Sequence, residues 1–270
     1  TENNNLIKIK NFSKRVGICE SFSRSIELCK GEFIIIFGDD DIPAPFLVET
    51  ILNEIELNAN VGLFHFNRLV ASDINFTQMQ KMRVEQFDFS STHLNYELSD
   101  FIEKYTISPG FISAMVFKRE SWSRGDFIDN KKHYGYDFLS RIYAGISKLQ
   151  DLDCMYISYP LVLQRMVKNR EWNDTWPKYW LIGVPNLLST LDKENISVDA
   201  IKTWDNELNK SWKKFVYILL WASSYRNKFK PLIKEIKSYQ KGFLRKILVS
   251  LIINFCPKFV FSQIRKYLYN

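Results

Sequence analysis

The chain has 270 residues, of which 46% are hydrophobic and 15% aromatic, and its formal net charge is +7. This composition suits a packed core and excludes an intrinsically disordered chain, and the length suits one large domain or one domain plus an extension. The four cysteines are far apart and form no Cys-x-x-Cys pair. Neither a zinc site nor a disulfide framework is therefore expected, and a reducing cytosol fits.

The positive charge is concentrated at the carboxyl end of the chain. Residues 210–270 contain 14 Lys and Arg and a single acidic residue, Glu235, which gives this segment a net charge of +13. The remainder keeps 23 of the 37 basic and 29 of the 30 acidic residues, a net charge of −6. A basic tail can meet anionic lipid, nucleic acid or an acidic partner. No nucleic-acid partner is expected, because no recognised motif accompanies the charge.

The most informative stretch runs from Phe33 to Asp41. Its first five residues are apolar, which predicts a buried strand of a parallel sheet. Gly38 then allows a sharp turn, and Asp39, Asp40 and Asp41 follow at the carboxyl end of the strand, where open α/β sheets place their ligands. Adjacent carboxylates repel one another, so they indicate a bound hard cation such as Mg²⁺ or Mn²⁺. The alternative is a solvated acidic turn that caps the following helix.

The other elements of the first 175 residues alternate between helices and strands. The apolar periodicity predicts helices from Ile18, Phe46 and Leu98, and strands over Leu6–Lys10, Val61–Asn67, Ile112–Phe117 and Asp153–Leu163. Residues 72–95 and 122–132 are polar and are predicted to be loops. His65 lies within an apolar alternation and is predicted to face the core, with a ligand role as the alternative.

The segment from Lys30 to Asp41 resembles the core of the family 2 glycosyltransferases, which have the GT-A fold. Members of that family carry a helix with an Arg or Asn and small residues, then a Gly-Glu-Tyr-Ile-like strand, then an Asp-x-Asp motif. Here Ser23–Leu28 corresponds to the helix and Asp39–Asp41 to the motif. The glycine before three aspartates is most similar to the abequosyltransferase-type subgroup, whose members add unusual deoxysugars to bacterial surface polysaccharides.

The resemblance implies an α/β fold with two regions. Residues 1–175 would form a GT-A domain, with a Rossmann-like, mostly parallel sheet flanked by helices, and residues 176–270 a basic, aromatic-rich helical extension. The family has a first strand, a helix and a second strand before the segment that corresponds to Leu6, and these hold part of its nucleotide site. We therefore expect an amino-terminally truncated fragment that lacks about 50 residues. The alternative is a chain that begins at Thr1 and is inactive.

The resemblance also implies a donor site for a nucleotide-diphosphate sugar. Asp39 and Asp41 would hold, directly or through water, a Mn²⁺ or Mg²⁺ ion bound to the diphosphate. The other positions that correspond to donor contacts are Arg24, Asp40, Gly110, Arg165 and Arg170. For Arg24 the alternative is a surface ion pair, and for Gly110 an ordinary turn.

A second family-like segment runs from His133 to Arg141. It is similar to the family's Gly-Glu-Asp-aromatic-x-x-x-Arg segment at the start of a helix, and the aspartate that serves as general base there corresponds to Asp137. Inversion at an anomeric carbon needs a base that takes the proton of the acceptor hydroxyl. The preceding Glu of the family is replaced by Tyr136. The alternatives are that Asp137 only complements the helix dipole, or that His133 is the base.

The resemblance therefore implies a metal-dependent, inverting glycosyltransferase. It would move a hexosyl or deoxyhexosyl group from a nucleotide-diphosphate sugar to a lipid-linked oligosaccharide in bacterial O-antigen or capsule synthesis. One alternative is a nucleotidyl- or phosphoryltransferase, which the missing Gly-rich phosphate loop and Walker-type Lys disfavour. The other is a non-catalytic membrane-associated binding protein, or an inactive truncated relative.

The region from Trp176 onward is predicted to be helical. Phe243–Val249 and Phe259–Tyr269 are predicted to form basic amphipathic helices, and such helices commonly lie in a membrane interface. Anionic lipid attracts clustered Lys and Arg, so an anionic membrane surface is an expected partner. The expected location is cytoplasmic, peripheral on the inner face of the plasma membrane. The alternative is a helical annex with a solvated basic face.

Overall fold

The computed structural model describes residues 9, 11, 13–14, 16, 18–71, 83–84, 93–105, 111–124, 137–149, 152–165, 176–193, 212–240 and 242–269. The chain divides into two compact units. Unit 1 comprises Thr1–Asp129 and Phe138–Val167, and unit 2 comprises Asn130–Asp137 and Lys168–Asn270. Unit 1 contains the described sheet, and the elements described in unit 2 are helical.

The described elements of the sheet-containing region mostly match the sequence pattern. The helices are α1 (Ile18–Leu28), α2 (Leu47–Leu57), α3 (Leu98–Tyr105), α4 (Arg119–Arg124) and α5 (Asp137–Ser147). The strands are β1 (Phe33–Ile35), β2 (Ile42–Pro43), β3 (Val61–Ala71), β4 (Arg83–Val84), β5 (His93–Tyr96), β6 (Met115–Lys118) and β7 (Asp153–Arg165). The helices predicted from Ile18, Phe46 and Leu98 are confirmed. β4, most of β5 and the end of α4 occupy residues that were predicted to be loops.

The described sheet is mainly antiparallel. Its strand order is β1-β6-β3-β7-β2, with β4 paired to β3 and β5 paired to β7. Five of the six described pairings are antiparallel, and the β3–β7 pairing is parallel. The α/β class is thus confirmed, whereas a mostly parallel sheet is not what the described strands form.

The parallel pairing predicted for the strand at Phe33 is wrong. β1 runs antiparallel to β6, with Ile34 opposite Phe117, and its apolar run is only partly buried, since Ile35 is 40% exposed. An apolar run indicates burial. Strand direction instead depends on the connections between strands, which the composition of one strand does not reveal.

The core of unit 1 lies on both faces of β3. Phe64 and Phe66 point to the face that α2 covers with Leu47 and Ile51, as expected for alternate residues of a strand. His65 points to the other face, where it is fully buried and stacks on Tyr156 with ring centroids 5.8 Å apart. The prediction that His65 faces the core is confirmed. Each buried large apolar side chain stabilises the fold by about 1.5–3 kcal/mol.

Unit 2 is built from helices. They are α6 (Trp176–Lys178), a π-helical turn (Tyr179–Gly183), α7 (Val184–Lys193), α8 (Trp212–Ser224), α9 (Arg226–Phe229), α10 (Ile233–Ser238), α11 (Phe243–Phe255) and α12 (Lys258–Tyr269). The helical prediction from Trp176 onward is therefore confirmed for the described residues.

Aromatic packing and one arginine join the last helices of unit 2. Phe261 of α12 stacks on Trp221 of α8, with ring centroids 5.9 Å apart. The Arg226 guanidinium donates hydrogen bonds to the carbonyl oxygens of Ile253 (3.0 Å) and Cys256 (2.5 Å). These carbonyls at the end of α11 have no donor within the helix, so the cation stabilises the helix end. Within the described ranges, no helix has both the length and the apolar character needed to cross a bilayer.

Candidate functional site

The three adjacent carboxylates lie in a turn that the sheet holds at both ends. β1 precedes the turn, and the Asp41 N–H donates a 3.3 Å hydrogen bond to the Gly38 carbonyl. β2 follows the turn, with Ile42 opposite Leu163 of β7. The chain is therefore fixed before and after the acidic residues, and the turn ends beside the carboxyl-terminal part of β7.

Gly38 provides space for side-chain oxygens. A Cβ atom at this position would lie 2.9 Å from Asp40 Oδ1, 2.9 Å from Asp41 Oδ2 and 3.4 Å from Ser113 Oγ. The sequence suggested that glycine is needed here for a sharp turn, but its φ is not in the left-handed region. The missing side chain matters instead because three oxygen atoms converge on the space that a Cβ would fill.

Ser113 fixes one of these carboxylates. It belongs to a 3₁₀ turn, Ile112–Ala114, that leads into β6, and its side chain is fully buried. Its hydroxyl donates a 2.6 Å hydrogen bond to Asp41 Oδ2 and accepts a 2.9 Å hydrogen bond from the Gly38 N–H. A hydrogen bond to an ionised carboxylate is among the stronger ones in proteins, so Ser113 restricts how the Asp41 side chain can rotate.

The role of Ser113 was not apparent from the sequence. Ile112–Phe117 was predicted to be a strand, and no role was predicted for the hydroxyl within that apolar run. The available signal was a single polar residue among buried neighbours, because a buried hydroxyl nearly always has a hydrogen-bond partner. The identity of that partner, 72 residues earlier in the chain, was not readable from the sequence.

A second overlooked residue is Arg68 on β3. Its guanidinium lies 4.6 Å from the centre of the Phe111 ring, directly before the turn that contains Ser113. Its backbone N–H donates to Asn67 Oδ1, and the Asn67 amide donates in turn to the Ser158 carbonyl. The hydrogen bonds fix the backbone at Arg68, and the ring contact places this half-buried cation near the 3₁₀ turn. The signal was a charged residue that directly follows a predicted buried strand.

The oxygens around Gly38 fit a hard divalent cation by their chemistry. Carboxylate and hydroxyl oxygens are the ligands that Mg²⁺ prefers, and this ion usually takes only one or two carboxylates and completes its shell with water and phosphate. In the described part of the chain, no group of three or more His, Cys, Asp or Glu side chains could hold a metal. A cation here would therefore need further oxygen ligands from water or from a bound phosphate group.

The other predicted residues of the acidic site differ in their surroundings. Asp39 is the exposed member of the turn. Arg24 forms an ion pair with Glu20 one turn earlier on α1, which was the alternative stated for it. The Arg165 side chain, Gly110 and Arg170 lie outside the described residues.

Asp137 begins a helix, as predicted. Its side chain, like His133 and Tyr136, lies outside the described residues. The helix is anchored by Arg141, whose Nε donates a 2.7 Å hydrogen bond to the Trp122 carbonyl and whose guanidinium lies 4.3 Å from the Trp122 ring centre.

Two further features describe how α5 is held. Burial lowers the pKa of the Arg141 guanidinium, an effect that the Glu27 carboxylate partly offsets. At Gly145 the helix touches α4 so closely that a Cβ would lie 1.7 Å from the Ser121 carbonyl oxygen. The helix that carries Asp137 is therefore packed on its neighbour without room for adjustment.

Comparison with known proteins does not identify a family. No protein-family model matches the chain, and no significant match was found among curated proteins. The resemblance to family 2 glycosyltransferases therefore depends on the motif residues alone.

Proposed function

We propose that the protein is an inverting glycosyltransferase with a GT-A-type domain, which transfers a sugar from a nucleotide-diphosphate donor. The observation that carries this proposal is the convergence of Asp40 Oδ1, Asp41 Oδ2 and Ser113 Oγ beside Gly38. A solvated acidic turn would not need a buried serine to orient one of its carboxylates. An oriented carboxylate pair at the end of a strand suits a cation bound to a diphosphate.

In this proposal each residue has a separate role. Asp39 and Asp41 hold a Mn²⁺ or Mg²⁺ ion, with Asp40 as a further oxygen donor, and Ser113 orients Asp41. When bound, the ion supplies charge neutralisation for the nucleoside diphosphate that leaves.

The remaining donor residues act on the diphosphate by charge. Arg165 and Arg170 correspond to family positions that contact it, and a guanidinium can bind phosphate oxygens in pairs. Arg24 could reach the diphosphate only by exchanging its ion pair with Glu20. Gly110 would allow the donor to approach the backbone closely.

Asp137 is the proposed general base. Its carboxylate accepts the proton of an acceptor hydroxyl while the hydroxyl oxygen attacks the anomeric carbon, and the bond to the nucleoside diphosphate breaks on the opposite face. A single displacement inverts the configuration. The proposed acceptor is a lipid-linked oligosaccharide of bacterial O-antigen or capsule synthesis.

The proposal is tested by titrating the protein with nucleoside diphosphates and nucleotide sugars, with Mn²⁺, with Mg²⁺ and with a chelator, in a thermal-shift assay. A ligand at a hundredfold excess over its Kd stabilises the native state by about 2.7 kcal/mol. We expect one nucleotide to bind only with metal, and Asp41→Asn to weaken that binding at least about tenfold. The matched control is Asp100→Asn, which changes an exposed aspartate on α3 and should leave binding unchanged.

Two outcomes would reject the assignment. Failure of every nucleotide to bind, with or without metal, would mean that the chain has no donor site. Donor binding without any sugar transfer would favour the non-catalytic binding protein. If transfer is found, Asp137→Asn should abolish it while donor binding persists, and unchanged turnover would remove Asp137 from the role of base.

A further inference from the structure

The outward surface of α11 is apolar along most of its length. Leu244 is 67% exposed, Leu251 49% and Phe255 74%. Helical spacing places these three residues, here called the α11 stripe, on one face that lies opposite the buried Val249 and Ile253. The stripe extends for about 16 Å along the helix. Contiguous exposed apolar surface of this kind indicates an interaction surface.

The basic residues of α11 do not interrupt the stripe. The sequence predicted a basic amphipathic helix at Phe243–Val249, but Arg245 points inward, with its guanidinium 4.8 Å from the centre of the Phe215 ring. Lys246 is exposed, and residues 247–257 contain no charged residue. The predicted pattern is therefore wrong for this helix, since both its inner and outer faces are largely apolar. A helix that is apolar on all sides is typical of a buried position or of contact with lipid.

The net charge of the segment indicates which kind of partner covers the stripe. Residues 210–270 carry 14 basic residues and one acidic residue. A second copy of the chain would bring another strongly positive segment to the same face, and charge repulsion opposes that arrangement. An anionic bilayer instead offers an apolar interior for the stripe and negative headgroups that attract the net positive charge of this segment. Lys230, Lys234 and Lys246 are exposed cations of the segment.

We infer that α11 docks on an anionic lipid bilayer with the α11 stripe inserted among the acyl chains and headgroups. The helix has 13 residues and is therefore about 20 Å long, which is shorter than the hydrocarbon core of about 30 Å. It lies in the plane of the interface. The cytoplasmic leaflet of a plasma membrane has the required negative charge. This inference depends on unit 2 alone and not on the proposed glycosyl transfer.

The test is co-sedimentation of the full chain with phosphatidylcholine vesicles that contain or lack phosphatidylglycerol. We expect binding to the anionic vesicles, weaker binding to the neutral ones, and a decrease as salt rises. The double variant Leu251→Ser/Phe255→Ser should bind the anionic vesicles at least about tenfold more weakly.

A matched control removes a comparable amount of exposed apolar surface from a different helix. Val48→Ser/Leu52→Ser removes two side chains that are 68% and 54% exposed on α2 of unit 1, and it should leave vesicle binding unchanged. Both double variants change surface positions, so the melting temperature should stay near that of the wild type. A charge variant, Lys234→Glu/Lys246→Glu, should weaken binding to anionic vesicles several-fold and leave binding to neutral vesicles unchanged.

Several results would overturn the inference. Equal binding of the wild type and the Leu251→Ser/Phe255→Ser variant would exclude the stripe as the docking face. Absence of wild-type binding to both vesicle types would exclude a lipid surface altogether. A dimer in lipid-free buffer that the stripe variant dissociates would assign the stripe to a second copy of the chain. If the Lys234→Glu/Lys246→Glu variant binds anionic vesicles as tightly as the wild type does, electrostatic attraction by these lysines does not contribute to binding.

Discussion

Replacing Ser113 with Ala would remove two hydrogen bonds from the acidic turn. The bond to the Asp41 carboxylate is charge-assisted, and the bond from the Gly38 N–H is neutral. Bonds to charged groups contribute about 1.5–3 kcal/mol and neutral ones about 1 kcal/mol. Both partners are half-buried, so water can replace part of the loss. We therefore expect Ser113→Ala to lower the free energy of unfolding by about 1.5–3 kcal/mol, or the melting temperature by about 3–12 °C for a unit of this size.

The same change should weaken metal-dependent nucleotide binding more than stability alone explains. Loss of a residue that orients a metal ligand typically lowers metal affinity by about 10- to 100-fold. Binding would be measured by calorimetric titration with Mn²⁺ and the nucleotide that the thermal-shift panel identifies, well below the melting temperature. Ser121→Ala is the matched control, because Ser121 is equally buried and its hydroxyl donates a 2.6 Å hydrogen bond to the Lys118 carbonyl.

The comparison separates positioning from general destabilisation. A fall in affinity in Ser113→Ala but not in Ser121→Ala supports the role of Ser113 in orienting Asp41. An equal fall in both variants would attribute the effect to lost stability. Unchanged stability and unchanged binding in Ser113→Ala would refute the argument that these two hydrogen bonds organise the turn.

Two further predictions concern the packing of unit 1. Gly145→Ala should cost about 3 kcal/mol or more, because its Cβ would meet the Ser121 backbone; an unchanged urea midpoint would contradict this. Burial, assisted by the Asp153 carboxylate, raises the pKa of the Cys154 thiol. Above about pH 8.5 the thiol therefore loses its proton in the unfolded chain but keeps it in the native state. As a result, the free energy of unfolding falls by up to about 1.4 kcal/mol per pH unit as the pH rises. The free energy of unfolding would be measured by urea titration between about pH 8 and 10. It should fall less steeply with pH in Cys154→Ala than in the wild type, and equal pH dependence in the two proteins would contradict this prediction.

The sequence predicted where elements lie better than how they pair. Apolar periodicity placed α1, α2 and β3 correctly because a helix or strand must bury one face. Burial of one face produces a periodic pattern of apolar residues that can be read locally in the sequence. The partner of β1 was not predictable in the same way. It is β6, about 80 residues later, and no local pattern distinguishes an antiparallel neighbour from a parallel one.

The candidate site shows the same limit at the level of side chains. Asp39, Asp40 and Asp41 were recognisable because three adjacent carboxylates are an unusual local pattern. Ser113 reaches Asp41, and Arg68 reaches Phe111, only through folding. The sequence shows each as a polar residue in or beside an apolar run but does not reveal its partner. The helix α11 illustrates a further limit, since its composition suggested a basic face while tertiary packing turned Arg245 inward.

The two proposed activities belong to different compact units, and this makes their separation testable within one set of proteins. Asp41 and Ser113 lie in unit 1, whereas Leu251 and Phe255 lie in unit 2. If the donor site and the lipid surface are both real and independent, the Asp41→Asn variant should still bind anionic vesicles and the Leu251→Ser/Phe255→Ser variant should still bind the nucleotide. An acceptor embedded in lipid adds a condition, because transfer to it then requires both. The stripe variant should therefore keep transfer to a soluble acceptor analogue and lose transfer to a vesicle-bound one, and equal loss of both reactions would contradict a role for α11 in bringing the enzyme to its acceptor.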